Sequence, residues 1–306
     1  MISVAMATYN GEKYIKEQLD SILAQTILPD QIVVSDDCSS DETINILHRY
    51  SEQHPEIEWI ILENKHNQGY VKNFFSAMKA CSKDVIILCD QDDIWKREKV
   101  EKINEFFSDP EVLSVHGDID VVDMEGKTIR SNAIGYKSAK RKMPIEEFFR
   151  HLYYCGMSSA FRSSLLPAIL SIDPENLPTH DWLVHAAAVC EDGFYTSSEV
   201  LSLRRFHGDN VALNLEKTTR GGIQQRIDVV EYYCWHYKLL NELYRDFGLD
   251  REKFKLTEKI LKVNNRRLKY LKERSLSDAI INAIYLKYYP TKKSYVSDLL
   301  YLINVF

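Results

Sequence analysis

Asp90, Asp92 and Asp93 put three carboxylates into four residues, directly after the apolar run Val85–Cys89. Carboxylates held that close repel one another, and a divalent cation is the usual relief. Mg2+ or Mn2+ is held by one or two carboxylates together with phosphate oxygens, which is how a diphosphate is gripped. Read alone, the same cluster is a solvated acidic loop capping the next helix; its position at a strand end favours the cation reading. Two more polar turns are placed alike: Ala7-Thr8-Tyr9-Asn10-Gly11 closes the apolar run that starts at Ile2, and Ser35-Asp36-Asp37-Cys38-Ser39-Ser40-Asp41 follows Gln31–Ser35. Asp181 opens an apolar stretch of helical character, where a carboxylate serves as a general base, as a helix cap, or as both. His207 lies in the polar turn Arg205-Phe206-His207-Gly208-Asp209-Asn210, as a metal ligand, a diphosphate contact or a structural residue. Arg204 or Arg205 could pair with phosphate or simply face solvent.

These residues need a scaffold that brings three turns to one edge. The first 120 residues alternate strand and helix patterns. Strands are expected at 2–8, 31–35, 57–62 and 85–89, and helices at 14–23, 41–50, 69–81 and 96–107. Continuous β-branched strands between amphipathic helices imply a parallel sheet covered on both faces, with right-handed crossovers. In such an α/β sheet, ligands bind beyond the carboxyl ends of the strands. Further strands are expected at 112–116, 158–162 and 195–205, helices at 164–170 and 181–189, and a basic mobile loop at 137–142. From about Gly221 the pattern is helical, with segments at 222–247, 251–273, 276–288 and 294–304 broken near Gly248 and Pro290. Asp41 reads best as the cap of the helix that follows it.

The charge follows the same division. The net −6 combines −13 over residues 1–214 with +7 over 215–306, and the second stretch holds 10 of the 18 tyrosines. Two domains are therefore expected, 1–214 and 215–306. The six scattered cysteines form no CxxC pair, so neither zinc nor a disulfide framework is expected. No secretory signal or membrane-length apolar run is evident, which predicts a cytoplasmic protein, with peripheral association at the inner membrane face as one role for the basic tail.

As a set, Ala7-Thr8-Tyr9-Asn10, Val33-Val34-Ser35-Asp36-Asp37-Cys38-Ser39-Ser40-Asp41-Glu42-Thr43, Asn67-Gln68-Gly69 and Asp90-Gln91-Asp92-Asp93 with Trp95 resemble family 2 glycosyltransferases of the GT-A fold. The resemblance is dense over residues 1–107 and thinner to about 213. Cys155-Gly156-Met157-Ser158-Ser159-Ala160-Phe161 resembles the acceptor-side segment, and His180-Asp181-Trp182 with the Arg205–Asn210 turn resembles the bacterial rhamnosyltransferase-like branch. It implies an inverting, metal-dependent transfer from a UDP- or dTDP-sugar to a hydroxyl of a cell-surface glycan, glycoprotein glycan or lipid-linked acceptor. Carried over residue by residue, it gives Thr8, Tyr9, Asn10, Asp36, Asp37 and Asp90 to the nucleotide and Asp92 and His207 to Mn2+ or Mg2+. Asp181 becomes the catalytic base, and Asp93, Gly156, Trp182 and Arg205 become donor or acceptor contacts. Cys38 stands where the family often has glycine.

Other readings are weaker. A sugar-phosphate nucleotidyltransferase would want a Gly-rich, Arg-containing loop after the first strand, and a dinucleotide enzyme would want GxGxxG; Ala7–Tyr14 is neither. A non-catalytic sugar-nucleotide binder or assembly subunit keeps the fold and needs no base. A nucleic-acid partner is not expected. The basic tail is left as an acceptor, membrane-surface or homo-oligomer element.

Overall fold

The computed structural model describes residues 1–177, 179–206, 222–246 and 251–303. Two compact units result. Residues 1–143 with the described part of 153–206 form the first; residues 144–152 with the described residues from 222 onward form the second. Chain order is β1 (Ile2–Thr8), α1 (Ile15–Leu23), β2 (Gln31–Asp36), α2 (Thr43–Gln53), β3 (Glu58–Glu63), α3 (Tyr70–Ala80), β4 (Val85–Asp90), β5 (Ile94–Trp95), α4 (Lys99–Phe107), β6 (Ser114–Val122), β7 (Thr128–Arg130), β8 (Arg141–Lys142), α5 (Ile145–Phe148), β9 (Ser159–Arg162), α6 (Leu166–Leu170), α7 (Asp181–Cys190), β10 (Phe194–Arg205), α8 (Ile223–Asp246), α9 (Arg251–Glu273), α10 (Leu276–Ile281) and α11 (Lys292–Leu302).

One sheet organises the first unit, in the order β3-β2-β1-β4-β9-β6-β10-β5. β1 pairs in parallel with both β2 and β4, and β2 with β3, while β9 runs antiparallel between β4 and β6. The fold is thus mixed α/β with a mostly parallel centre. Runs such as Val4-Ala5-Met6 and Ile86-Ile87-Leu88-Cys89 are fully buried, because helices cover both faces of these central strands. The chain builds β1, β2 and β3 to one side and then places β4 on the other side of β1. That reversal opens a crevice beyond the carboxyl ends of β1 and β4.

Three sequence expectations shift for local reasons. The helix expected from residue 96 starts at Lys99, because Ile94–Trp95 pair antiparallel with Leu203 and Ser202 of β10. The strand expected at 112–116 runs to Val122 through polar residues. Asp118 is buried within it, and its carboxylate accepts the backbone N–H of Ile134, Gly135 and Tyr136. In the basic stretch 137–142, Arg141 and Lys142 form β8 against β10.

The second unit is helical. One apolar cluster comprises Ile227, Val230, Cys234, Tyr270, Leu271 and Ala279, and a polar network sits beside it. Asp298, fully buried, accepts from Arg267 Nε at 2.5 Å, Arg267 Nη2 at 2.9 Å, Arg226 Nε at 2.6 Å and Tyr270 Oη at 2.6 Å. Tyr289 in turn donates to Tyr270 Oη, so the donors converge on one carboxylate. No helix among the described residues is long and apolar enough to cross a membrane.

Candidate active site

The first two turns are stitched into one wall. Thr8 Oγ1 donates to Asp36 Oδ2 at 2.7 Å, and Ser39 gives both its N–H and its hydroxyl to the same carboxylate. Asn10 N–H donates to Ser39 Oγ, Ser40 N–H to Asn10 Oδ1, and Gly11 N–H to Thr43 Oγ1. Asn10 and Cys38 both take left-handed backbone, φ 46° and 67°. Cys38 therefore adopts the conformation that glycine enters without steric cost. Asp37 is committed to α3: its carboxylate accepts Gln68 N–H and Gly69 N–H, each at 2.8 Å, which fixes the turn before that helix. Asp41 stands one residue before Glu42, the N-cap of α2; it accepts Thr43 N–H and Glu12 N–H and so ties the helix start to the first turn. Tyr9, by contrast, leaves its ring half exposed over the crevice mouth (47%).

Gln91 joins this wall to the acidic loop. Its side-chain oxygen accepts Tyr9 N–H at 2.9 Å and its amide donates to Tyr9 O at 3.0 Å. A Cβ at Gly11 would lie 2.3 Å from Gln91 Oε1, so the glycine is required by the clamp. Sequence reasoning passed over Gln91; its place between two aspartates was the signal available.

Asp90 ends β4, and Asp92 and Asp93 follow. Burial pushes the Asp90 carboxyl up to about 7, with the charges of Asp92 and Asp181 adding to it. Burial also holds Asp93 well above the usual carboxylate range, helped by Asp92 and Asp90. A group of acids that crowd each other this strongly suits a divalent cation. Among the described residues no group of three or more His, Cys, Asp or Glu side chains could hold an ion unaided. With diphosphate oxygens completing the shell, Asp92 and its neighbours would supply the protein's share, and the cation would offset the charge of the diphosphate. His207 lies outside the described residues.

Arg205 turns inward. It is 3% exposed and gives Nε to Asp92 O, Nη1 to Met124 O and Nη2 to Glu17 Oε2, while its own N–H reaches Asp93 Oδ1. It braces the acidic loop from behind. Arg204, the neighbouring residue of β10, is near enough for its charge to oppose the upward shifts of Asp90, Asp93 and Cys155.

Opposite stands Asp181, at the first residue of α7, where the helix N-terminus favours a carboxylate. Its Oδ2 accepts Gly156 N–H at 3.2 Å. A Cβ at Gly156 would meet Asp181 Oδ1 at 3.1 Å and His180 Nε2 at 3.3 Å, so a side chain there would press on this carboxylate by a few tenths of an ångström. His180 Nε2 lies 2.7 Å from Asp181 Oδ1 without hydrogen-bond alignment, and its ring stacks on Phe74 with centroids 3.8 Å apart. Trp182 is 1% exposed, in the core behind the site.

A buried layer supports the Gly156 segment. His116 Nε2 accepts Cys155 N–H at 3.0 Å, which leaves Nδ1–H to donate to Tyr136 Oη at 2.9 Å. Burial holds His116 down at about 4, so this neutral tautomer is the stable one. Lys99, fully buried, donates to Met157 O at 2.6 Å and lies over the Trp95 ring. Burial lowers its ammonium to about 7. Neither residue was singled out from sequence, since a lysine in a helix pattern and a histidine at the end of an expected strand read as ordinary.

With this geometry in view, the comparisons are specific. A family model described as "Glycosyl transferase family 2" matches residues 3–170. The dTDP-rhamnosyl transferase RfbG of Shigella flexneri is 40% identical over 99 residues, 31% of this chain and 34% of RfbG, so the match spans about a third of that relative. Among solved structures, S. aureus TarS 1-349 in complex with UDP-GlcNAc superposes with a TM-score of 0.62 at 19% identity, over 97% of this chain and 89% of TarS 1-349. The mannosyltransferase PcManGT from Pyrobaculum calidifontis, in complex with GDP-Man and Mn2+, gives 0.55 at 19% identity, over 99% and 84%. At these identities the structural likeness speaks for the fold.

Proposed function

The chain belongs to glycosyl transferase family 2 and is a glycosyltransferase; on that premise we propose that it transfers a sugar from a UDP- or dTDP-linked donor to an acceptor hydroxyl, with inversion at the anomeric carbon and with Mn2+ or Mg2+. One observation carries this reading. Asp181, at the first residue of α7 and held by Gly156 N–H, is near enough to Asp90 for its charge to add to the raising of that carboxyl. A carboxylate facing a diphosphate-binding loop is where a base must sit to meet an incoming hydroxyl.

In the proposed step the acceptor oxygen attacks the anomeric carbon. The bond from that carbon to the diphosphate oxygen breaks, its electron pair leaves with the nucleotide, and the hydroxyl proton passes to Asp181. One base on one face gives inversion, through an oxocarbenium-like transition state. Bound at Asp92, with His207 as second ligand, the cation would stabilise charge on the diphosphate. Tyr9 would stack on the base, with Thr8, Asn10, Asp36, Asp37 and Asp90 forming the nucleotide wall. Arg204 is better placed than Arg205 for a phosphate contact, since the Arg205 guanidinium is already engaged. Asp93 and Gly156 line the donor and acceptor sides. The acceptor is a cell-surface glycan, a glycoprotein glycan or a lipid-linked sugar, which accords with the polysaccharide-related names among the relatives.

The test is donor hydrolysis and transfer across UDP- and dTDP-sugars, with GDP-mannose included because PcManGT was solved with it, in Mn2+, in Mg2+ and in EDTA. Turnover of one donor that EDTA abolishes is expected. Asp181→Asn should lower kcat about 10²- to 10⁴-fold with nucleotide binding kept. Nucleotide binding with no turnover of any donor would favour the non-catalytic binder instead.

A further inference from the structure

The segment 276–288 turns the usual surface-helix pattern inside out. It comprises α10 and the tighter 3-10 stretch Asn282–Tyr288 that continues it. Its inward residues near the start are Ala279, in the apolar cluster, and Asn282, which donates to Tyr289 Oη at 2.7 Å. Its large aliphatics face outward: Leu276 is 42% exposed, Ile280 58%, Ile281 64% and Ile284 74%. Single exposed apolar residues are ordinary, but four within nine residues form a patch that water alone does not explain.

Bases border this patch. Lys255, Lys259, Lys262, Arg266 and Lys269 recur along α9 at steps of four, three, four and three residues, so they share one face. They line an open groove of about 820 Å³ in which Glu258 is the acid. Two tyrosines of the inverted segment connect groove and patch. Arg266 lies over the Tyr285 ring at 5.4 Å, and Lys259 and Lys287 over Tyr288 at 5.6 and 5.0 Å.

We propose that Leu276, Ile280, Ile281 and Ile284 together with the α9 base row form a docking surface for an anionic phospholipid bilayer. Aliphatic side chains would enter the acyl boundary, the half-buried Tyr285 would sit at headgroup level, and lysine and arginine stems would reach the phosphates. The two signals complement each other, which is what reversible peripheral binding requires. A second copy of the chain fits less well, because a two-fold contact across this patch would bring two base rows together. This inference concerns the helical unit and goes beyond the donor-site reading.

The experiment is co-sedimentation of the full chain with phosphatidylcholine vesicles and with vesicles containing phosphatidylglycerol, at low and high salt. Donor hydrolysis is measured in the same preparation without vesicles, so that failure of the catalytic reading is seen separately. Binding only to the anionic vesicles, weakened by salt, is expected. Ile280→Ser/Ile281→Ser/Ile284→Ser should lower partition roughly tenfold or more. Lys259→Gln/Lys262→Gln should cost about fivefold per charge removed. Both sets lie on exposed positions and should leave helical content and hydrolysis unchanged. Absence of binding to anionic vesicles overturns the proposal. So does binding that the serine variant leaves intact, which would make the base row a site for soluble polyanions, and so does a concentration-dependent dimer that the serine variant abolishes.

Discussion

Around Asp36 and Asp37 the buried carboxylates accept from hydroxyl, amide and backbone N–H groups. Around Asp298 the principal donors are two guanidinium groups. The sheet unit has a large apolar core and uses its carboxylates to shape turns at a strand edge. The helical unit also buries apolar side chains, among them Tyr237, Leu240, Leu243, Tyr244 and Ile260, and adds to them an ion network that ties α8, α9 and α11. Hydrogen bonds to neutral donors can be lost one at a time, whereas removing a charge from a buried ion network leaves opposite charges stranded. The two regions should therefore respond differently to the same chemical change.

Asp298→Asn is the largest expected stability effect. It leaves Arg267 and Arg226 without a counter-charge in the interior, at about 3–5 kcal/mol. Asp36→Asn, which keeps an acceptor and strands no cation, should cost about 1–3 kcal/mol. Denaturant unfolding of both variants tests the order. A smaller loss for Asp298→Asn than for Asp36→Asn would mean that the contrast between the regions is wrong.

Acid probes both regions at once. Burial holds His116 in the sheet unit and His236 in the helical unit down at about 4. For each, the folded value lies below the unfolded value near 6.5, so the unfolded chain binds the proton first. Stability is highest above pH 6.5 and falls as pH drops toward 4, by up to about 3 kcal/mol per histidine. His116→Asn should flatten part of the melting-temperature profile over that window, and an unchanged slope would count against His116 as a neutral acceptor of Cys155 N–H.

Gly156→Ala asks how tightly the base is held. The added methyl would press on Asp181 Oδ1, now 3.1 Å from that point. A displaced base should lower kcat about tenfold, since a misplacement of around 1 Å is already costly, while nucleotide affinity stays. A fall in nucleotide affinity with kcat kept would instead assign Gly156 to the donor side.

Much of this was legible in the chain. The strands of the first half read correctly because helices cover both faces of most of them, which demands unbroken β-branched runs. The three polar turns lie after the carboxyl ends of β1, β2 and β4, where the strand pattern put them. What could not be read depends on partners distant in sequence. The expected strand 112–116 stops short of the polar residues Asp118 and Asp120, yet β6 runs on to Val122 and the Asp118 carboxylate is satisfied by amides sixteen to eighteen residues on. Arg205 looked like a phosphate ligand until its guanidinium was found engaged by Asp92, Met124 and Glu17. Asp298 carried no signal in the helical pattern and accepts from Arg226, Arg267 and Tyr270.

Cys38 gives the smallest effect and a direct reading of local strain. At φ 67° its Cβ sits where an L-residue is disfavoured by roughly 1–2 kcal/mol. Its Sγ makes only a long contact, 3.8 Å, to Lys65 O. Cys38→Gly removes the steric cost but gives the unfolded chain more freedom, worth about 0.5–1 kcal/mol in the other direction. The balance should be a gain of under about 1 kcal/mol in the urea midpoint, with Asp36 still capped by Ser39. A loss of more than that would mean that the thiol contact to Lys65, and not the backbone turn, holds the second loop in place.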